Sequence, residues 1–561
     1  MEPKNVIAAI SLSAAVIILY GLFFAPSPEE IKKIELENQK NKIIQNSEAP
    51  KLIEKKEFKK VKREEVIKID KRIIFENENI IGSISLEGAL IDDLTFKNYT
   101  TKVDSKEKIV LLNPKETSIG YYIDTGWAIN NDEIQVPDNK TTWQVEGNKI
   151  LKPNNPVKLK WANDQGIVFE KIFSLDNQYL FDIEQKIINN SEKTYNFYPY
   201  GQVIRNISPD VTNFYILHEG LLGVFDDELV EKDYEDIEKK MFSKNVKEGW
   251  LGITDKYWVT SLIPEKGKTF RADFDYKNKF RASFIENKPK VVGANETRSS
   301  KFKAIIAAKE VDVIDGYAES QNISKYDLVI DWGWFYWIVK PLFFAIDYFF
   351  KLTGNFGIAI ILITICIRIV FFPLANMSFK SMARMKLLQP EMARLKELHK
   401  EDKVKLQQEM MALYKREKVN PLSGCFPILL QIPFFFAIYK MLFVTIEMRH
   451  QPFFGWIKDL SERDSTSIFN AFGLIPWDPP SFLIIGAWPC LMGVTMYLQQ
   501  KLNPAPPDPV QAKIFMFFPL FLTVILAPFP SGLVIYWTFN NIFTMMQQVV
   551  IMKKTKVKTQ V

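Results

Sequence analysis

The chain has 561 residues, 47 % of them hydrophobic and 25 % charged, with a formal net charge of +6. That length exceeds what one hydrophobic core organises, so at least two domains are expected, and so small a net charge gives no argument for nucleic acid, which excludes DNA from the expected partners. Three cysteines, Cys366, Cys425 and Cys490, lie widely spaced inside apolar runs, a pattern that argues against disulfides and a zinc site; no cofactor is expected.

Val6 to Phe24 is an apolar run long enough to cross about 30 Å of hydrocarbon as a helix. It exceeds the apolar stretch of an ordinary signal peptide and lacks a small-x-small cleavage site, so residues 1–26 read as an uncleaved anchor with a cytoplasmic amino terminus. Residues 27–71, rich in Lys, Glu, Asn and Ile without an apolar face, read as a charged linker. Residues 72–325 change pattern. Short alternating runs such as Ile80–Leu86, Val157–Trp161 and Tyr257–Leu262 are broken by Asn, Asp and Gly turns, which predicts a large antiparallel β-sandwich across the membrane from the amino terminus.

Residues 326–552 read as membrane architecture. The stretch 331–350, dense in Trp, Tyr and Phe but interrupted by Lys340, Pro341 and Asp347, suits a helix lying in the interface. Spans are predicted over 356–374, 425–444, 482–499, 514–529 and 533–551, six with the anchor. Between the second and third spans, Ser378–Lys418 carries eleven Lys or Arg against six acids; Glu447–Ser481 carries three against five; and residues 553–561 form a short basic tail. By the positive-inside rule the first loop and both termini are cytoplasmic, and the second loop and the β-domain are outside. The fold class is therefore mixed: an α-helical polytopic bundle, a β-sandwich outside, and a cytoplasmic hairpin over 377–418. That hairpin is predicted from Met382, Met385, Leu388, Met392, Leu395 and Leu398, then Val404, Leu406, Met410, Leu413 and Tyr414, as two amphipathic helices joined by a charged turn.

Within the spans one residue stands apart. Arg368 lies one turn from Thr364 on the same face, and an arginine in hydrocarbon costs about 2.5 kcal/mol or more unless it is paired or snorkels. No predicted span contains an acid to neutralise it, while Gln431, Asn540 and Asn541 add polar groups from the third and last spans. Polar groups on separate spans without a countercharge fit a wet cavity better than a tight bundle. Such a groove would attract acidic, hydrophilic peptide segments and shorten the apolar distance they cross. Lys440, also inside a predicted span, is expected to snorkel outward.

Three motifs carry a family likeness. Asn420–Phe435 (NPLSGCFPILLQIPFF), with EMMALYKREKVNP before it and PSGLVIYW at Pro530–Trp537, resembles the signature of the YidC membrane protein insertases, and ITICIRIVFFPL resembles the family segment with its intramembrane arginine. The likeness covers about residues 325 to 552, and the anchor and outer domain match the architecture of Gram-negative members. It implies an inner-membrane insertase and chaperone with a periplasmic β-sandwich and a five-span core. It further implies a client-binding groove at Arg368, Thr364, Gln431 and Asn540, and a greasy slide for clients at Phe435, Phe518 and Tyr536. The implied partners are nascent membrane proteins, the lipid bilayer, the Sec translocon, and a ribosome or targeting receptor that meets the hairpin. A secondary transporter would show repeated span motifs and paired intramembrane charges, and neither is seen; an accessory assembly factor without autonomous insertion is the other alternative. An enzyme would need a nucleophile or an acid–base pair, and His218, His399 and His450 fall in no recognisable motif.

Overall fold

The computed structural model describes residues 61–67, 71–130, 134–209, 217–400, 402–417, 426–477, 479–480, 483–503 and 509–559. The predicted anchor and nearly all of the predicted linker lie outside the described residues. The described end of that linker forms a short helix, α1 (Arg63–Val66), whose Arg63 guanidinium pairs with Asp93 of the β-domain.

The β-domain is built on two stacked sheets of, among the described residues, eleven and nine strands. Neighbouring strands run antiparallel except where Ile74–Phe75 meets Ile150–Leu151. Period-two burial explains the stacking: in Leu180–Asn189, Ile183, Gln185, Ile187 and Asn189 point inward while alternate residues stay partly wet. The core between the sheets is aromatic, with Phe75 edge-on to Phe181 at 5.1 Å and Phe96 stacked on Trp258 at 4.7 Å. Two helices, α2 (Tyr234–Lys239) and α3 (Val311–Ser320), flank the sheets.

The helical part begins with α4 (Tyr336–Thr353), closed by Gly354 in the left-handed region at φ +69°. The predicted interfacial helix 331–350 thus starts at Tyr336, because Asp331 and Trp332 are taken up by the junction with the β-domain. Next comes α5 (Phe356–Val370), then a 69° bend at Phe371 into α6 (Phe372–Leu387). The predicted straight span 356–374 is therefore corrected: Pro373 has no N–H for a continuing helix and starts the next one instead. The predicted two-helix hairpin is corrected likewise. The segment from Phe372 to Arg416 holds three helices, α6, α7 (Gln389–Leu398) and α8 (Lys403–Arg416), with the first pair separated just before Pro390. Helices α7 and α8 do pair antiparallel: Tyr414 reaches the Met392 sulfur at 3.9 Å, and Arg416 bonds Glu391 at 2.8 Å.

The remaining helices are α9 (Phe426–Val444), α10 (Ala487–Leu502), α11 (Pro509–Leu526) and α12 (Ser531–Thr559). Among the described residues no single helix is long and apolar enough to cross a membrane by itself. The bent pair α5–α6 meets that condition jointly, and shorter apolar helices cover Gln431–Val444 and Ala512–Leu526. The 69° bend after α5 and the polar residues Asn540, Asn541, Gln547 and Gln548 in α12 interrupt two of the predicted spans.

The β-domain and the helices share one buried apolar cluster, passing from the sheets through Tyr326, Trp332 and Val339 to Ile438 and Tyr536. Polar contacts reinforce the junction: Glu447 Oε1 accepts from the Val311 N–H at 2.7 Å, Arg449 donates to the Thr100 carbonyl at 2.6 Å, and Lys440 meets Asp331 at 2.7 Å. Lys440, expected to snorkel outward, is held by the Asp331 carboxylate at the junction with the β-domain.

Candidate functional site

Arg368 sits in the last turn of α5, just ahead of the bend. Its Nε donates to Asn540 Oδ1 of α12 at 3.1 Å, and its Nη2 donates to Gln431 Oε1 of α9 at 3.1 Å. Three helices thus converge on one guanidinium through neutral amide oxygens. Among the described residues no carboxylate lies within ion-pair distance of it. Amide oxygens satisfy the N–H groups without cancelling the charge.

The side chain is half-buried and faces a cavity of about 580 Å³ between α5, the start of α6 and α12. Ile365, Phe372, Pro373, Phe543 and Met546 line it, with Arg368 and Gln547 as its polar members. The Gln547 Oε1 is buried and has no hydrogen-bond partner among the described residues. Sequence reasoning missed Gln547, although the signal was present: it lies two turns after Asn540 and so repeats on the same helix face.

The other predicted residues divide. Thr364 is buried, and its hydroxyl donates to the Ile360 carbonyl at 2.6 Å, one turn back along its own helix. Tyr536 is only 2 % exposed and lies beside Arg368 and Gln431, inside the bundle. Phe435 is half-buried and meets the Trp537 ring at 4.4 Å, tilted by 31°. Phe518 is 44 % exposed on α11, among exposed Met516, Phe517 and Phe521. Asn541 turns away and donates to Thr495 of α10 at 3.3 Å. His218 spends both ring nitrogens locally, on Asp233 at 3.1 Å and the Leu221 carbonyl at 3.1 Å.

Comparison with known proteins places this arrangement. Residues 72–345 match the model of the YidC periplasmic domain, and residues 348–559 match that of the 60Kd inner membrane protein. The membrane protein insertase YidC of Pelagibacter ubique (strain HTCC1062) is 64 % identical over 559 residues, covering 100 % of both chains. Its namesake in Brucella suis biovar 1 is 47 % identical over 506 residues, covering 89 % of this chain and 83 % of its own. A crystal structure of an active YidC insertase with its first transmembrane domain resolved covers 95 % of this chain and 99 % of its own, at 16 % identity and a TM-score of 0.37. The β-domain is accordingly the periplasmic domain of an inner-membrane protein, and the helices with the arginine cavity are its inner-membrane part. The family is one of insertases and not of enzymes. By its similarity over the full length of such relatives, the chain belongs to the YidC family of membrane protein insertases.

Proposed function

We propose that this chain inserts inner-membrane proteins by drawing an acidic, hydrophilic client segment to Arg368 and letting the client's apolar segment leave along α11. The observation that carries this reading is the guanidinium held by Asn540 and Gln431 beside an open cavity of about 580 Å³. A cation kept in place but not neutralised, in a site poorer in water than bulk solvent, attracts a carboxylate more strongly than an exposed arginine would.

Helix length supports the same reading. Fifteen residues of α5 span about 22 Å, less than the roughly 30 Å of hydrocarbon, before the chain bends. A client entering at the bend therefore has less apolar thickness to cross. Exposed Phe517, Phe518 and Phe521 offer its apolar side a surface matching lipid. In this reading six spans place both termini in the cytoplasm, and the α7–α8 hairpin receives nascent chains from a ribosome or targeting receptor. The Sec translocon is a neighbour on the same route.

The test is reconstitution of the purified chain in lipid vesicles with one client that carries an acidic translocated segment. Arg368→Ala weakens insertion and Arg368→Lys largely preserves it, while a client with a neutral segment depends less on either change. A client that fails to span the vesicle membrane with the unaltered chain overturns autonomous insertion and reduces the role to helper of another translocon. Solute uptake by the same vesicles would identify a transporter.

A further inference from the structure

The connector between α9 and α10 carries an apolar tip that the groove does not use. From Ile468 to Trp477 the sequence IFNAFGLIPW contains no charged residue. Ile468, Phe469, Phe472, Ile475 and Trp477 are each more than 40 % exposed, and Leu474 is 86 % exposed. Water is a poor solvent for such a surface, and isolated exposure of one side chain would need no explanation, but six large ones on one short loop do.

The loop is built rather than slack. Ser467 Oγ donates to the Leu483 carbonyl at 2.8 Å, and the Ile468 N–H donates to the Ile485 carbonyl at 3.0 Å, which pins the base of the loop. Inside it, the Phe472 N–H donates to the Ser467 carbonyl at 2.7 Å and the Ile475 N–H to the Asn470 carbonyl at 3.0 Å. The Asn470 side chain is spent internally, accepting from the Gly473 N–H at 3.1 Å and donating to the Trp477 carbonyl at 3.3 Å. Ala471 and Phe472 hold left-handed backbone at φ +50° and +59°. That conformation strains a bulky side chain and has to be offset elsewhere. An apolar loop that satisfies its own polar groups suits hydrocarbon, where no water is available to do so.

Its position selects the leaflet. The same connector touches the periplasmic domain through Arg449 at the Thr100 carbonyl and through Lys458 at Asp104, 2.8 Å. The loop's far end leads into α10, where Thr466 Oγ1 accepts from the Ala487 N–H at 2.9 Å. From there the exposed stripe Leu491, Val494 and Leu498 runs on along one face of α10. We propose that Ile468–Trp477 is a lipid-binding loop that buries Phe472, Leu474 and Ile475 in the periplasmic leaflet, at the outer end of the lipid-facing stripe of α10. Lipid is the occupant because the tip offers no charge for a polar partner to read and continues a surface already turned to the bilayer.

The test uses the full chain with Cys366, Cys425 and Cys490 replaced by alanine and a single environment-sensitive nitrobenzoxadiazole label at Leu474→Cys. The protein is reconstituted in phosphatidylethanolamine–phosphatidylglycerol vesicles, with and without doxyl-labelled lipid, and iodide is supplied on both faces. A label at Lys102→Cys on the β-domain is the aqueous control. The expected result is a blue-shifted emission, strong quenching by the doxyl lipid, and several-fold less iodide quenching than at the control. The same pattern at Ile475→Cys guards against a local effect of one variant. Iodide quenching equal to the control, with no effect of doxyl lipid, overturns the proposal. So does a blue shift that vanishes when the protein is diluted with lipid, which would assign the tip to contact between copies of the chain.

Discussion

Arg368 owes its properties to what holds it. Two amide oxygens fix the guanidinium but leave its charge available, and that separation of position from neutralisation can be tested one residue at a time. Asn540→Asp is nearly isosteric and puts a fixed carboxylate where the amide oxygen now accepts from Nε. The resulting pair holds the arginine at least as firmly, so thermal unfolding of the purified chain is expected to be unchanged or slightly raised. Insertion of an acidic client should nevertheless fall by about tenfold, corresponding to about 1.4 kcal/mol, because the client must now displace a resident anion. Asn540→Ala should produce a smaller loss of insertion together with a lower unfolding temperature. If Asn540→Asp inserts acidic clients as well as the unaltered chain does, the charge is not what draws them. The sequence made the charge legible, since an arginine in an apolar run without an acidic partner is visible in one line of text. Which groups would hold it was half legible: Gln431 and Asn540 were available as polar residues, while Asn541, their equal on paper, faces α10. One residue on a helix rotates the side chain by about 100°, and only the packing of α12 against α5 and α10 decides which of two adjacent asparagines meets the arginine.

Helix ends in this chain are set by side chains that sit far away in the sequence, which is why boundaries were harder to read than elements. Helix α10 starts at Ala487, where buried Asp464 accepts from the Trp488 N–H at 2.9 Å, and from Thr466 and the Trp456 indole at 2.7 and 3.0 Å. Asp464→Ala removes a charged cap and strands those donors. It should destabilise the connector and the first turn of α10 by about 2 kcal/mol, read as faster hydrogen exchange there and a lower unfolding temperature. A second case couples an element to pH. Glu447 supplies its Oε1 to the Val311 N–H at the start of α3, while its Oε2 is buried and has no partner among the described residues. Burial, aided by the neighbouring carboxylates Glu310 and Asp312, pushes its pKa up from 4.5 to about 7, against the backbone N–H bonds that favour the anion. Because the docked state binds this proton more tightly than the undocked one, its contribution is complete below pH 4.5. It is lost as pH rises from 4.5 to 7, and is flat above. Protection of the α3 amides, corrected for intrinsic exchange, should decline across that window, and Glu447→Gln should remove the decline while keeping the contact. A decline that persists in Glu447→Gln would show that the Glu447 carboxylate does not carry it.

At the scale of the whole molecule, the periplasmic domain is a fixed part of the insertase and not a tethered appendage, because one apolar core crosses from sheets to helices. The sequence could show two compositions meeting near residue 325, but not that they pack, since the contacts join residues more than a hundred positions apart. The junction is also partly open. A cleft of about 1230 Å³ is lined by His218, Glu231 and Asp233 on the domain side and by Trp332, Tyr439 and Lys440 on the helical side. Asp331 bridges it, accepting from the His218 N–H at 2.9 Å and pairing with Lys440 at 2.7 Å. Lys440 alone looks like an apolar position wrongly filled; opposite Asp331 it becomes half of an interdomain pair. Lys440→Met should therefore destabilise the full chain by about 2 kcal/mol, for a pair that solvent still reaches, read as a lower unfolding temperature, because it leaves the Asp331 carboxylate without its cation. Asp331→Asn should cost less, since the amide oxygen still accepts from His218. The double variant should be more stable than Lys440→Met alone, because no charge is then left without its partner. Added salt should shrink the difference between the unaltered chain and Lys440→Met if water fills the cleft as its size allows. Strict additivity of the two changes, at any salt, would mean that the lysine and the aspartate meet without coupling, and that the apolar core and the other polar contacts of the junction hold the periplasmic domain on the helices.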